Sequence, residues 1–495
     1  MPAKRIRRSA VLLLALLMAA AVPVRATTPP TFTVVDSIQP GANGSYAMDY
    51  SESVAFGGYL YFSANDGTSG YELWRTNGST TTQVSDINPG GDGSFPEGFT
   101  ALGDYLYFSA NDGTRGAELW RTNGSTTSIV SDIHPGGDGS NPASIRRYGG
   151  YIYFTANDGV NGFELWRTDG TSAGTTLVYD IRAGGDGSYP YNLQEANGYL
   201  YMSADDGIHG YELWRTNGSS TTMVYDTKTG GSGSYPSWMT PLGSYTYFVA
   251  DDGTSGYELW RTNGSSTTLV EDIFVGGSNS MPQFLTPLGD YLYFSANDGT
   301  NGNELWRTNG SDTALVSDIN SGVNGSDPNN FIRFGDYLYF SAADANGYEL
   351  RRTNGSSTTL AVDVRPGVDG SFPSTFVVVG DYLYFTGYNG TSYYVYRSDG
   401  STAERVPFPI DADQYVSCDC YNTNLAAVGG RLFSTVYSSA IGNEFAYLDE
   451  PTYVLPETNT AGGANSAWTV ALSALALVTL GVGVGLRRRS GVAQR

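Results

Sequence analysis

Acidic side chains recur in one loop motif of this chain, where their type and spacing allow two kinds of chemistry. An Asp-Gly pair follows a β-like run in each of six units. Carboxylates on flexible loops are the ligands that Ca²⁺ prefers. Asp-Gly is also typical of a tight turn, in which the aspartate bonds its own backbone. Both interpretations stay open; no cofactor is required, and the candidate Ca²⁺ ligands are Asp66, Asp112, Asp158, Asp206, Asp252 and Asp298.

A second motif, Glu-Leu-Trp-Arg, begins at Glu72 and recurs at nearly constant spacing. A catalytic group is needed once, so residues present in every unit are better explained by the scaffold. We expect the glutamate to pair with arginine or to cap backbone N–H groups. The tryptophans are expected to pack between neighbouring units, and they are Trp74, Trp120, Trp166, Trp214, Trp260 and Trp306.

Residues that break the repeat are better candidates for a unique site. They are scattered over four units and form no acid–base or nucleophile–base spacing, which favours random variation at the surface over a unique site, and no catalytic residue is predicted. The departures from the repeat are His134, Arg146, Arg147, His209, Lys228, Trp238 and the tyrosine-rich stretch 388–396.

The two cysteines, Cys418 and Cys420, are separated by one residue. On a strand they would face the same side, where a disulfide is strained. In a loop a bridge is feasible, and an exported protein meets oxidising conditions. The pair is therefore a candidate disulfide.

The first 26 residues have the pattern of a secretory signal. Positive residues precede an apolar run, and small residues stand before a cut at Thr27. Near the other end, residues 467–486 are apolar or small and uncharged, long enough for one transmembrane helix. The basic tail, 487–495, is expected to stay cytoplasmic, which leaves the bulk of the chain outside the cell.

The segment before the apolar span, residues 451–466, is expected to be a linker. It contains Leu455, Pro456 and Thr458, followed by Asn459. The order of motif, spacer, apolar span and arginines resembles the sorting signal that sortases read in bacterial surface proteins. The resemblance implies cleavage after the threonine and attachment to peptidoglycan, although Asn459 stands where that family has glycine. A permanent membrane anchor is the alternative.

The elements that must position these residues are short strands. In the second unit, the aromatic-rich alternation of 105–110 indicates a strand, and 117–122 follows after an Asn-Asp-Gly turn. Asn123-Gly124 predicts a two-residue hairpin of type I′. Four such strands in about 46 residues, repeated with their turn chemistry, are typical of the blades of a β-propeller.

The two ends of the repeat array are out of phase. Residues 32–38 match the fourth strand of a unit, and 424–450 supply the first three strands only. An N-terminal strand that completes the last blade would leave no free sheet edge. The sequence therefore predicts an all-β propeller of nine blades over residues 27–450, closed by that strand. Eight blades with a divergent last unit, and an open solenoid, are the alternatives.

The repeated units resemble the bacterial ELWxxDGT repeat family, whose signature is matched at 164–171. That resemblance implies an exported, propeller-like protein without an assigned activity. Residues 64–74 also resemble the tryptophan-docking motif of quinoprotein dehydrogenase propellers, through Ala64, Asp66, Gly70 and Trp74. This second resemblance implies that each tryptophan stacks on the next blade.

Charge restricts the partners. The net charge is −22, and residues 27–450 carry 18 basic and 49 acidic residues, a balance of −31. Nucleic acid is excluded as a partner because phosphate binding needs a basic face. We expect a non-enzymatic surface protein that binds a glycan or protein, or serves the cell envelope structurally. The alternative is an exported enzyme, for example one acting on glycosides, with its site in the central channel.

Overall fold

The structure is a computed structural model that describes residues 32–35, 38–39, 45, 53–367, 369–407, 425–438 and 442–449. The predicted signal segment 1–26, the linker 451–466, the span 467–486 and the basic tail 487–495 lie outside the described residues. The sorting residues Leu455, Pro456 and Thr458 and the pair Cys418 and Cys420 lie outside them as well. Within the described ranges, no helix is long and apolar enough to cross a membrane.

The described residues form nine antiparallel sheets of four strands, arranged as the blades of a propeller. First strands are Val54–Phe56, Glu97–Leu102, Ala143–Tyr148, Tyr191–Ala196, Ser237–Leu242, Gln283–Leu288, Asn329–Phe334, Ser374–Val379 and Leu425–Val428. Second strands are Tyr59–Asn65, Tyr105–Asn111, Tyr151–Asn157, Tyr199–Asp205, Tyr245–Asp251, Tyr291–Asn297, Tyr337–Asp344, Tyr382–Tyr388 and Arg431–Ser438. Third strands are Tyr71–Thr76, Ala117–Thr122, Phe163–Thr168, Tyr211–Thr216, Tyr257–Thr262, Asn303–Thr308, Gly347–Thr353, Tyr393–Ser398 and Gly442–Asp449. Fourth strands are Thr81–Ser85, Thr127–Ser131, Thr176–Tyr179, Thr221–Tyr225, Thr267–Glu271, Thr313–Ser317, Thr358–Val362, Ala403–Arg405 and Thr33–Val34.

We number the blades 1 to 9 from Val54–Phe56 onward. First strands of neighbouring blades contact one another all around the ring, including blades 9 and 1, so they line its centre. The N-terminal Thr33–Val34 is the outermost strand of blade 9 and pairs antiparallel with Tyr447 and Ala446. This confirms the predicted nine-bladed ring and its closure by the N-terminal strand, and it excludes the eight-bladed and open alternatives for the described part of the chain.

Apolar side chains fill the space between blades. Between blades 1 and 2, Leu73 and Tyr61 of one blade pack with Leu106 and Phe108 of the other, and Trp120 lies against this cluster. An equivalent cluster joins each neighbouring pair. The tryptophans of the Glu-Leu-Trp-Arg motif belong to the cluster shared with the preceding blade, whereas the docking resemblance implies the next blade. Their indole N–H groups have no acceptor among the described residues.

The hairpin between third and fourth strands differs from the type I′ prediction. Thr122 pairs with Thr127, which leaves a loop of four residues rather than two. The Asn123 side chain accepts hydrogen bonds from the amides of Ser125 and Thr126, both at 2.9 Å. This Asx arrangement keeps asparagine at negative φ, and only Gly124 has the left-handed conformation, at φ 86°.

Closure of the ring predicts that truncating a buried side chain next to the N-terminal strand strongly destabilises the protein. Phe32 is fully buried in the cluster between blades 8 and 9, and its amide donates to the carbonyl of Pro407 at 3.1 Å. Phe32→Ala should therefore lower the stability of the full chain by about 3–5 kcal/mol, the usual cost of truncating a buried phenylalanine. Thermal denaturation measures the change. Val160→Ala, at a 71% exposed site, is the control; equal melting temperatures for both variants would contradict closure by this strand.

Candidate functional site

The repeated glutamate holds the connection between one blade and the next. Glu72 is fully buried, and its carboxylate accepts hydrogen bonds from the amides of Ile87 and Asn88 at 2.9 and 3.1 Å. The Ser94 hydroxyl donates a third bond at 2.6 Å. All three donors lie in the link from the fourth strand of blade 1 to the first strand of blade 2. The glutamate therefore fixes where the next inner strand begins, and the same arrangement recurs at Glu118, Glu164, Glu212, Glu258 and Glu304.

Blade 7 departs from this arrangement. Burial, aided by the neighbouring Asp363 carboxylate, raises the pKa of Glu349 to about 7, although the Ser371 hydroxyl that donates to it opposes the rise. The amide of Arg365, which corresponds to that of Asn88, donates instead to Asp363 at 3.0 Å. Glu349 thus lacks a donor that its counterparts have. At those counterparts burial also raises the pKa, against the same kind of hydrogen bonds.

The repeated arginine joins neighbouring blades at the opposite end of the third strand. Each guanidinium lies over the tyrosine that opens its second strand, as Arg75 does over Tyr59 at 4.4 Å from the ring centroid. Arg167 also donates to the carbonyl of Gly218, in the hairpin of the following blade, at 2.7 Å. In blade 9 the two positions are exchanged: Arg431 opens the second strand and lies over Tyr447 of the third strand. Arg431 donates to the carbonyl of Asn77 in blade 1, so this contact closes the ring. These arginines are scaffold residues.

The six candidate Ca²⁺ ligands are engaged in turns. Oδ1 of Asp66 accepts from the amides of Thr68 and Ser69 at 2.8 and 2.7 Å. The same pair of contacts recurs at Asp112, Asp158, Asp206, Asp252 and Asp298. No group of three His, Cys, Asp or Glu side chains within the described ranges could hold a metal ion. Binding of Ca²⁺ stays a prediction.

Three of the residues that break the repeat support these loops. His134 Nδ1 lies 3.1 Å from the carbonyl oxygen of Gly139, in its own inter-blade link. Lys228 pairs with Asp251 of the next blade. His209 Nδ1 lies 2.7 Å from Asp206, and this hydrogen bond raises the pKa of the histidine. In the tyrosine-rich stretch, Tyr396 stacks on Phe385 and occupies the place of the tryptophan.

The remaining departures, Arg146, Arg147 and Trp238, lie on inner strands. In blades 2 to 8 the pairing of first and second strands shifts after the first residue, as between Ala143 and Arg146. Two residues then oppose one, which is a β-bulge, and bulges redirect a side chain out of the regular sheet. The first bulge residue is left-handed in every one of these strands, at Gly98, Ser144, Asn192, Trp238, Phe284, Asn330 and Thr375.

Residue type at this bulge position varies although the surrounding repeat is nearly constant. The backbone there needs φ near +55°, which glycine and asparagine adopt readily. Trp238 and Phe284 adopt φ of 55° and 58°, a strained conformation for bulky side chains. The scaffold would be served as well by Gly98 or Asn192. The aromatic side chains therefore need an explanation other than the backbone.

A cleft of about 580 Å³ opens at these strands in blades 3, 4 and 5. We call it the inner cleft. Leu193 and Met239 are buried and form its apolar floor. The polar groups around them are contributed by three different blades. The described lining residues are Arg146, Asn192, Leu193, Gln194, Ser237, Trp238, Met239 and Thr240.

Trp238 forms the aromatic wall of the inner cleft. Its side chain is 42% exposed, and its ring centroid lies 5.3 Å from that of Phe284 in blade 6. Phe284 in turn lies 6.0 Å from Phe331 of blade 7, so the aromatic row continues along the inner strands. The Thr240 hydroxyl donates to the carbonyl of Trp238 at 2.9 Å and steadies the bulge.

Two polar groups of the inner cleft are available to a ligand. Among the described residues, neither the Arg146 guanidinium nor the Asn192 amide has a hydrogen-bond or ion-pair partner. Gln194 uses one amide hydrogen for the carbonyl of Glu195, at 3.1 Å, and keeps its oxygen. The cleft thus combines an apolar floor, one aromatic wall and several convergent polar groups, and it is open and more polar than the pockets that enclose most small molecules.

The sequence signals for the inner cleft were incomplete. Arg146 and Trp238 stand out in the sequence because they break the repeat, and both line the inner cleft. Asn192 and Gln194 carry no such signal, because the first strand varies between units. Their convergence depends on the bulge and on the ring, which bring adjacent inner strands side by side.

No protein-family model and no curated protein matches this chain. Solved structures similar to it include a prolyl endopeptidase, at 13% identity over 81% of this chain and 55% of that one, with a TM-score of 0.41. A puromycin-hydrolysing peptidase of Mycobacterium tuberculosis is 12% identical over 85% and 63%, with a TM-score of 0.39. The GH74 enzyme of Niastella koreensis is 11% identical over 84% and 74%, with a TM-score of 0.33. This chain thus spans less than two thirds of either peptidase, and similarity this distant transfers no activity.

The raised pKa of Glu349 predicts a pH dependence of stability. Because the folded value of about 7 exceeds the ordinary 4.5, its contribution to stability is full below pH 4.5 and is lost as the pH rises to 7. The raised pKa of Glu349 corresponds to a change of about 3 kcal/mol at most in the free energy of unfolding between these pH values. Glu349→Gln should flatten this part of the profile, measured as urea midpoints at about pH 5 and about pH 8.

Glu304→Gln is the matched control for that experiment. Glu304 accepts from two backbone amides and from the Ser326 hydroxyl, so its replacement should destabilise the protein at both pH values. If Glu349→Gln left the difference between the two midpoints unchanged, Glu349 would not be the titrating group.

Proposed function

We propose that this protein is a non-enzymatic carbohydrate-binding propeller displayed on the outside of a bacterial cell, with its ligand site in the inner cleft. The single observation that carries the proposal is Trp238, exposed at 42% and held in a left-handed conformation that blades 2 and 4 fill with glycine and asparagine. Strained residues of this kind cluster at ligand sites.

A sugar ring matches the chemistry of the inner cleft. Its C–H face packs on an indole ring, which offers a large rigid apolar surface. Its neighbouring hydroxyl groups both donate and accept, as do the amides of Asn192 and Gln194. The apolar floor of Leu193 and Met239 excludes water beneath the ligand.

The composition of the cleft favours binding over hydrolysis. Glycoside hydrolysis commonly uses a pair of carboxylates that flank the scissile bond. The eight described residues that line the cleft include neither a carboxylate nor a histidine. The acidic residues of the described inner strands are Glu97 and Glu195, in blades 2 and 4, with blade 3 between them. The alternative function, an exported glycoside-acting enzyme with a channel site, thus has less support.

Features of the sequence support display at the surface. The signal-like segment 1–26 supports export, and the apolar segment 467–486 with its basic flank supports a membrane anchor. The motif at Leu455, Pro456 and Thr458 supports transfer by a sortase to peptidoglycan. In this arrangement the propeller faces the surroundings of the cell, where glycans and proteins are the available partners.

Binding at the inner cleft predicts loss of affinity on removal of the indole. Trp238→Ala should weaken binding of the full chain to its oligosaccharide ligand by at least about tenfold, because stacking and buried apolar area are both lost. A glycan array identifies the ligand, and isothermal titration calorimetry gives the affinity. The substitution should lower the melting temperature only slightly, because the backbone conformation suits alanine no worse than tryptophan and the lost ring contact with Phe284 lies outside the buried clusters between blades.

Phe95→Ala is the control. Phe95 is also left-handed and is 58% exposed, but it lies in the link between blades 1 and 2 and stacks on Tyr71, away from the inner cleft. It should leave affinity unchanged. Equal loss with both variants, or no loss with Trp238→Ala, would contradict the inner cleft as the site. New reducing ends during incubation would instead favour the enzyme.

If a sortase attaches the protein to the cell wall, a substitution in the motif should change the cell fraction in which the protein is found. Thr458→Ala should shift the protein from the peptidoglycan-linked to the membrane fraction, because the threonine carbonyl is the point of transfer in the motif it resembles. Thr452→Ala, outside the motif, is the control. Fractionation and immunoblotting measure the distribution, and an identical distribution for wild type and Thr458→Ala would favour a permanent membrane anchor.

A further inference from the structure

We infer that the sugar bound in the inner cleft is acidic, and that Arg146 pairs with its carboxylate or sulfate group. This inference rests on the proposed carbohydrate-binding function and adds the chemical class of the ligand. The observation behind it is an arginine without a counter-ion in the wall of a cleft, on a protein with an excess of negative charge.

Most other arginines in the described part of the chain have defined structural partners. Those of the Glu-Leu-Trp-Arg motif lie over tyrosine rings, as Arg75 does. Arg115, Arg182 and Arg365 form ion pairs with the loop aspartates Asp112, Asp186 and Asp369. Arg146 belongs to neither group. An acidic protein offers many carboxylates, so an arginine left without one at a cleft is available for an anion supplied by a ligand.

The position of Arg146 is also unique within the repeat. It is the fourth residue of its inner strand, the first after the bulge. Uncharged residues take this place in the other bulged strands, at Thr100, Gln194, Thr240, Thr286, Ile332 and Val377. Since those strands keep the same bulge without a charge, the scaffold does not need the guanidinium here.

The geometry of the group favours a carboxylate or a sulfate over a neutral hydroxyl. The planar guanidinium presents parallel N–H groups that match two oxygens of an anion at once. Asn192 and Gln194 of the adjacent blade can then bind the hydroxyls of the same sugar, and Trp238 of the next blade its apolar face. The balance of −31 over residues 27–450 repels anions at long range. Selectivity for an acidic sugar must therefore come from contacts inside the cleft.

Matched ligands test the charge. An oligogalacturonate and its fully methyl-esterified form differ only in the carboxylates, and a sulfated oligosaccharide and its desulfated form differ only in the sulfates. The full chain should bind one acidic member at least about tenfold more tightly than its neutral partner, because hydrogen bonds to charged groups are the stronger ones. The pair that shows the difference distinguishes carboxylate from sulfate, and added salt should reduce the difference.

Variants assign the difference to Arg146. Arg146→Gln should abolish the preference, so that the acidic and the neutral ligand bind with equal affinity, and Arg146→Lys should keep part of the preference, since a lysine keeps the charge without the planar fork. Arg333→Gln is the control, because Arg333 is exposed on an inner strand but does not line the cleft; it should change neither affinity.

The failure of this inference is distinguishable from failure of the proposed function. Equal binding of acidic and neutral partners, or a preference that survives Arg146→Gln, would overturn the inference and leave carbohydrate binding in place. Absence of binding to every carbohydrate on the array would overturn both. Binding of acidic peptides in preference to all sugars would likewise overturn both and indicate a protein partner.

Discussion

A buried carboxylate that collects hydrogen bonds from the backbone underlies the arrangement of the blades. An isolated charge away from water is unstable by several kcal/mol, so the glutamate of each repeat must be surrounded by donors. Ile87, Asn88 and Ser94 supply them for Glu72, and all three belong to the link that leads into the next blade. The same hydrogen bonds thus satisfy the charge and position the next inner strand, and they recur from blade 1 to blade 6.

The inner strand that is fixed in this way carries a constant backbone and variable side chains. Its bulge and left-handed residue recur from blade 2 to blade 8, whether the residue is Gly98, Asn192 or Trp238. The second and third strands repeat nearly unchanged because they supply most of the buried residues of the clusters between blades. Variation is therefore concentrated where it does not disturb packing, and the inner cleft lies there.

Blade 7 illustrates the effect of weakening this interaction. Glu349 loses a backbone donor that its counterparts keep, and it lies beside Asp363, so protonation becomes favourable near neutral pH. The same blade has Arg351 in place of tryptophan at its interface with blade 6, and this arginine pairs with Asp344. The third strand of blade 7 therefore has three charged residues, Glu349, Arg351 and Arg352, whereas the other described third strands that keep the buried glutamate have two. The ring nevertheless closes through the same apolar clusters.

The architecture could be predicted from the amino-acid sequence alone. Strand alternation, turn residues and the period of the repeat are local properties that can be read from the sequence. The phase offset between residues 32–38 and 424–450 follows from the same repeat, so both the nine blades and the closure of the ring could be predicted. The predicted type I′ turn between the third and fourth strands was wrong. The loop is longer because the Asn123 side chain accepts hydrogen bonds from two backbone amides within it. The residues that meet at the inner cleft are decided instead by the folded ring.

The bulge leaves no signal in residues as different as Gly98 and Trp238, since it is a property of pairing with the second strand. Arg146, Gln194 and Trp238 lie in different blades, and they share a cleft because closing the ring brings successive inner strands together around one axis.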